Sequence, residues 1–110
     1  MVGHPFRLPL GLLPLHDVAT MIFEWDERKR RANLRKHGID LADAPRIFSG
    51  YTWTVEDVLA YGEQRFQTFG VLDAVVVAVC HTIMEEAIRL ISVRKATKHE
   101  AQDYFAQIPD

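Results

Sequence analysis

Six of the thirteen lysines and arginines, Arg28, Lys29, Arg30, Arg31, Arg35 and Lys36, fall within nine consecutive positions. Cations at that density match the repeating charge of a phosphate backbone and release its counterions on binding. An acidic protein surface would satisfy them equally well, and a merely solvated helix face is the plainer reading. A second set, Arg65, Arg89, Arg94 and Lys95, sits in or at the ends of strand-like runs. Arg89 lies in the otherwise apolar or small run from Ile88 to Val93, so its charge must emerge on a polar sheet face or be costly. Strand alternation sends Arg89 and Arg94 to opposite faces unless a bulge or a strand end intervenes.

Cleaving RNA without a metal needs a base for the 2′-OH proton, cations for the phosphate charge and an acid for the leaving oxygen. This chain contains candidates for all three. Glu63, His37, Glu100 and Tyr104 are acid or base candidates, and Arg65, Arg94, Lys95 and Lys36 can stabilise phosphate. Glu100 reads equally well as a capping carboxylate and Tyr104 as a packing residue. The set assigned to catalysis is Lys36, His37, Glu63, Arg65, Arg94 and Lys95; Arg28, Lys29, Arg31, Arg35 and Arg89 are assigned to RNA binding. The five histidines (4, 16, 37, 81 and 99) and the single Cys80 show no close-spaced zinc pattern, so no metal is expected. There is no glycine-rich phosphate loop and no nucleophile elbow, so no cofactor is expected either. Cys80 and His81 lie in an apolar run, where they read as a packed thiol and a satisfied sheet residue.

The elements that must position these groups follow from pattern. The chain has 110 residues, 48% of them hydrophobic and 25% charged, which fits one soluble globular domain. A lone cysteine argues against a disulfide scaffold and for the cytoplasm. Residues 1–20 hold three of the five prolines and show no periodicity, so they read as a flexible N-terminal extension. Their apolar stretch from Leu8 to Leu15 is too short to span a bilayer, and no membrane association is expected. From Met21 the spacing predicts a short strand over Ile22–Trp25, then a helix N-capped by Asp26 and closed by Gly38, with Leu34 on its packing side. A second, shorter helix should begin within Ile39–Ala44 and carry apolar Ala44, Ile47 and Phe48; Pro45 is at ease only in a first turn, so either Asp43 is the N-cap or the helix starts irregularly. Strands are predicted over Tyr51–Val55, Arg65–Leu72, Ala74–Thr82 and Ala87–Val93, joined by short connections into an antiparallel meander with the apolar Ala74–Val79 run at its centre. Thr97 and Glu100 have capping-box spacing for a last helix that packs through Ala101, Tyr104, Phe105 and Ile108. The fold class is α+β: a small antiparallel sheet with two N-terminal helices and one C-terminal helix.

Three segments carry a resemblance: Phe23-Glu24-Trp25-Asp26-Glu27-Arg28-Lys29, Ala32-Asn33-Leu34-Arg35-Lys36-His37-Gly38-Ile39, and Ile91-Ser92-Val93-Arg94-Lys95-Ala96-Thr97-Lys98-His99-Glu100. In this order they resemble the BrnT family of bacterial type II toxins, from residue 22 to about 105 of a domain spanning 21–110. The extension departs from the family pattern, and so does Val93, where a smaller alanine is usual. The resemblance implies a RelE-like fold and a metal-independent endoribonuclease that inhibits translation and growth. It also implies a cognate antitoxin of ribbon-helix-helix type, through which alone the complex would reach operator DNA. The competing reading is a non-catalytic module, or an inactive relative, that uses the same cations to hold nucleic acid or a partner.

Overall fold

The computed structural model describes residues 21–57 and 62–109, so the extension at 1–20 lies outside the described residues. In chain order the elements are β1 (Ile22–Glu24), α1 (Glu27–His37), a 3-10 helix (Leu41–Ser49), β2 (Trp53–Asp57), β3 (Arg65–Leu72), β4 (Val75–Ile83), β5 (Ala87–Lys95) and α2 (Lys98–Gln107). They build a five-stranded sheet in the order β1-β5-β4-β3-β2. The meander from β2 to β5 is antiparallel as expected, but β1 lies parallel to β5, with Glu24 opposite Arg89, so the sheet is mixed. Parallel pairing requires a long crossover, and α1 with the 3-10 helix begins that crossover before the meander starts.

The second helix also departs from expectation. It begins after Asp40, whose carboxylate accepts the Ala42 N–H, and it is a 3-10 rather than an α-helix. Pro45 explains part of this, because in an α-helix its ring would meet the carbonyl of Leu41. Packing explains the rest: a three-residue repeat stacks Leu41, Ala44 and Ile47 in one line, and all three are buried. Gly70 on β3 makes room for that line, since a Cβ there would sit 2.8 Å from Ile47 Cβ.

Alternation along β4 separates two cores. Val77 and Val79 pack with the 3-10 helix, Ile88, Leu90 and Val93 on one face; Val76 and Ala78 pack with Val55, Phe69 and Tyr104 of α2 on the other. We call these the 3-10 face and the α2 face. Asp73 and Ala74, both at positive φ, form the tight turn between β3 and β4.

Helix α1 is held differently from the pattern reading. Leu34 is 43% exposed, and the buried residue of the helix is Asn33. The Asn33 side chain donates to the carbonyls of Val93 (2.9 Å) and Ile39 (3.0 Å) and accepts the Val93 N–H (3.0 Å). It therefore bonds β5 as a neighbouring strand would, beyond the point where β1 ends. Phe105 is the other miss, 56% exposed where a packing role was expected.

His81 is wholly buried on the 3-10 face against the rings of Phe48 and Phe66. Its Nε2 lies 2.7 Å from Thr68 Oγ1, which lies 2.7 Å from Thr54 Oγ1, while Nδ1 has no hydrogen-bond partner among the described residues. Burial pushes its pKa down from 6.5 to about 4.

Asn33→Asp keeps the shape but replaces the donor with an acceptor facing two carbonyls, so chemical denaturation should show a loss of about 2–4 kcal/mol. For His81, the unfolded state binds a proton below pH 6.5 that the native state refuses until about 4, so stability falls as pH drops through that window. Urea unfolding at pH 7.5 and pH 5 should differ by about 2 kcal/mol on this account, and His81→Gln should lack that slope. Equal wild-type stability at both pH values would contradict the buried neutral imidazole.

Candidate functional site

A register shift decides which charged side chains meet. Cys80 on β4 stands opposite Ser92, whereas His81 stands opposite Leu90, so β5 takes two steps to the one of β4 and Ile91 is the extra residue. Leu90 and Val93 therefore share the 3-10 face although their spacing is odd. By the same shift Arg89 and Arg94 both project from the α2 face. This is the intervening bulge that simple alternation left open.

Three cross-strand rows follow on that face. Asp57 is opposite Arg65 at one side of the sheet, and Thr82 is opposite Arg89, itself opposite Glu24, at the other. The next row runs Val55, Gln67, Cys80, Ser92, and the third runs Trp53, Phe69, Ala78, Arg94. Helix α2 covers the third row through Tyr104, Ala101 and Ile108. The result is a polar floor of Gln67, Cys80 and Ser92, bounded by Arg65, Arg89 and Arg94.

Each arginine meets a carboxylate. Arg65 donates through Nε and Nη2 to Glu63 Oε2 at 3.0 and 2.8 Å. Arg94 makes a two-pronged pair with Glu100, at 2.7 and 3.0 Å. Arg89 lies 3.6 Å from Glu24 in a looser, well exposed contact. Glu100 also completes the capping box of α2, accepting the Thr97 N–H while Thr97 Oγ1 accepts the Glu100 N–H. The Arg94 guanidinium and, secondarily, the Thr97 N–H hold the Glu100 carboxyl below its ordinary range against the opposing effect of burial. Burial pushes the Cys80 thiol up, and the nearby Arg65 opposes that shift more strongly than the more weakly acting Arg94. The floor thus has a neutral thiol at its centre, under the field of both guanidiniums.

The remaining candidates divide by position. Tyr104 is buried and its phenol donates to the Tyr51 carbonyl at 2.8 Å, so it packs and ties α2 to the chain before β2. Lys95 follows Arg94 and projects from the 3-10 face by alternation, exposed to solvent. On α1, helical spacing measured from the buried Asn33 puts Arg28, Arg31 and Arg35 on the outer side. Arg30 and His37 share one flank, and Arg30 ties that flank to Asp40 at the start of the 3-10 helix. Lys29 and Lys36 share the other flank, on the side of the α2 face. Arg35, Lys36 and His37 are exposed and make no ion pair among the described residues. Pattern reading missed Asn33, Gln67 and Ser92. A weak helix former inside a helix signals the first; the bulge that places Ser92 has no signal in composition or period.

Among the described residues no three His, Cys, Asp or Glu side chains converge as a metal site, and no helix is long and apolar enough to cross a membrane.

Comparison with known proteins finds likeness both to a family and to a solved structure. A family profile described as ribonuclease toxin, BrnT, of type II toxin-antitoxin system matches residues 25–100. The crystal structure of the Brucella abortus ribonuclease toxin BrnT is similar, with 31% identity and a TM-score of 0.53, over 72% of this chain and all of that one. No curated protein sequence matches the chain.

The double duty of Glu100 is measurable. Glu100→Gln should lower stability at pH 7 by about 1 kcal/mol, the worth of a partly exposed charge-assisted pair. A carboxyl with a depressed pKa stabilises the fold above its unfolded value of 4.5 and loses that contribution as pH falls through the folded value. The gap between variant and wild type in urea unfolding should therefore shrink as pH drops below 4.5.

Proposed function

Because this chain belongs to the BrnT family of ribonuclease toxins of type II toxin-antitoxin systems, we propose that it is a metal-independent endoribonuclease that binds its substrate across the α2 face. The observation that carries this reading is the convergence of Arg65, Arg89 and Arg94 on one sheet face around an uncharged floor. Three guanidiniums around a neutral floor favour an anion threaded between them, and a phosphodiester linkage is the anion the family description calls for.

In the proposed reaction the 2′-oxygen attacks the adjacent phosphorus and its proton passes to Glu63. Arg65 and Arg94 hold the non-bridging oxygens as their charge grows. The bond to the 5′-oxygen breaks, and that oxygen takes a proton from Lys36, leaving a 2′,3′-cyclic phosphate and a 5′-hydroxyl. Glu63 suits the base because, among the described residues, its side chain hydrogen-bonds to Arg65 alone, and an incoming phosphate oxygen would draw that guanidinium away. Lys29 and Arg89 extend the cationic track beside the linkage. His37 and Lys95, which project elsewhere, would serve as outlying cations or acids along a longer RNA.

The same reading has RNA cleavage inhibiting translation and growth in the cytoplasm, on a RelE-like scaffold. A ribbon-helix-helix antitoxin would neutralise the toxin by covering part of its positive surface and would carry the complex to operator DNA. One observation favours the non-catalytic alternative: all three strand arginines already have carboxylate partners. That reading gives salt-dependent binding without cleavage products.

Purified full chain incubated with single-stranded RNA in chelator should cleave it. Arg65→Ala and Arg94→Ala should each slow cleavage by about 10²–10³-fold, the usual cost of removing a transition-state donor, with circular dichroism unchanged. Intact RNA across several substrates would leave the binding module as the better account. Wild-type rates in both variants would remove these arginines from the site.

A further inference from the structure

The floor between the arginines is polar where a sheet face beside Val55, Phe69 and Ala78 could have been apolar. Gln67 and Ser92 are both half-buried, and neither side chain hydrogen-bonds to another described residue. Neither contributes a buried unpaired polar atom, so the amide and the hydroxyl stay open to water, and a ligand with matching donors and acceptors can take that water's place. Between them Cys80 is nearly covered, and burial keeps it a neutral thiol, so it sets no competing charge under a ligand. Arg65 lies two residues along β3 from Gln67 and Arg94 two residues along β5 from Ser92, each on the same face. That separation is about 7 Å along the strand, a spacing that one nucleotide bridges between phosphate and base edge.

We propose that Gln67 and Ser92 read one unstacked base of single-stranded RNA beside the linkage held by Arg65 and Arg94. This rests on the nuclease reading above and adds a base preference to it. A paired base keeps its hydrogen-bonding edge inside the duplex, so the substrate class is single-stranded. The Gln67 amide presents one donor and one acceptor side by side, and so accepts a base edge with the complementary pair. A base presenting the wrong pair leaves the amide unsatisfied, which is the origin of strong discrimination at polar sites.

The test uses the full chain in chelator with single-stranded oligonucleotides that are 2′-deoxy throughout except for one ribonucleotide, A, C, G or U, so that a single linkage can be cleaved. Wild type should prefer one base by about tenfold or more. Gln67→Leu and Ser92→Ala should bring the four rates together by slowing the preferred substrate, and Gln67→Glu, which trades the donor for an acceptor, should move the preference to another base. Thermal melting confirms that each variant is folded. Binding of the fully deoxy versions, followed by fluorescence anisotropy, runs in parallel. Cleavage without a base preference, or a preference unchanged in folded Gln67→Leu and Ser92→Ala, overturns base reading and leaves the nuclease standing. Base-selective binding that depends on Gln67 without cleavage supports base reading and overturns the nuclease. Neither cleavage nor selective binding overturns both.

Discussion

One amide holds the functional half of this fold together. β1 pairs with β5 only from Ala87 to Arg89, and past that point the edge of β5 would present unpaired backbone groups. Asn33 takes the N–H and the carbonyl of Val93 and so closes the edge with a side chain instead of a strand. It also docks α1, a helix with no apolar stripe to do so: its one large hydrophobic residue, Leu34, faces water. The docking is strong because failure would leave buried backbone groups without partners, a heavier penalty than the gain from an ordinary hydrogen bond. Arg30 adds an outer tie between Glu27 and Asp40. The cations of α1 consequently keep a fixed relation to Arg94, the residue after the one that Asn33 grips.

The bulge at Ile91 does for β5 what Asn33 does for α1. Without it, Val93 would leave the core behind the 3-10 helix, or Arg94 would enter it. With it, both apolar residues stay on the 3-10 face and both arginines emerge together on the other. The α2 face then grades from charged through polar to apolar along the strands, and α2 covers the apolar end. The capping box of that helix lies at the boundary, so the carboxylate that starts α2 is also the one that orients Arg94.

Much of this was legible from residue pattern. Asp26, Gly38, Thr97 and Glu100 mark helix ends through local hydrogen bonding, which depends on a few neighbouring residues. The meander is legible because strand alternation and short turns are also local. What escaped pattern reading is long-range. The parallel docking of β1 is decided sixty-odd residues away, and Leu34 looked like a packing residue only because apolar side chains usually are. The 3-10 helix was half visible: Pro45 warned against an α-helix, but the three-residue spacing of Leu41, Ala44 and Ile47 acquires meaning only against Gly70. Arg65, Arg89 and Arg94 were legible as strand arginines; their common face depended on one unpaired residue.

That all three arginines are paired does not by itself quiet them. Exposed ion pairs contribute about 0–1 kcal/mol, so an incoming phosphate, which offers the same forked acceptor geometry, can exchange with a carboxylate at little net cost. The exchange is unequal across the site. Glu100 is held by both Arg94 nitrogens and by the Thr97 N–H, and moving it would also loosen the start of α2. Among the described residues Glu63 is held by Arg65 alone, and it stands one residue past Gly62, whose positive φ sets the turn into β3. A carboxylate that must let go of its guanidinium and accept a proton needs few other ties, whereas one that must keep a guanidinium aimed needs several. Under the chemistry proposed here, Glu63 fits the first description and Glu100 the second, which divides two similar pairs into a reacting one and a supporting one.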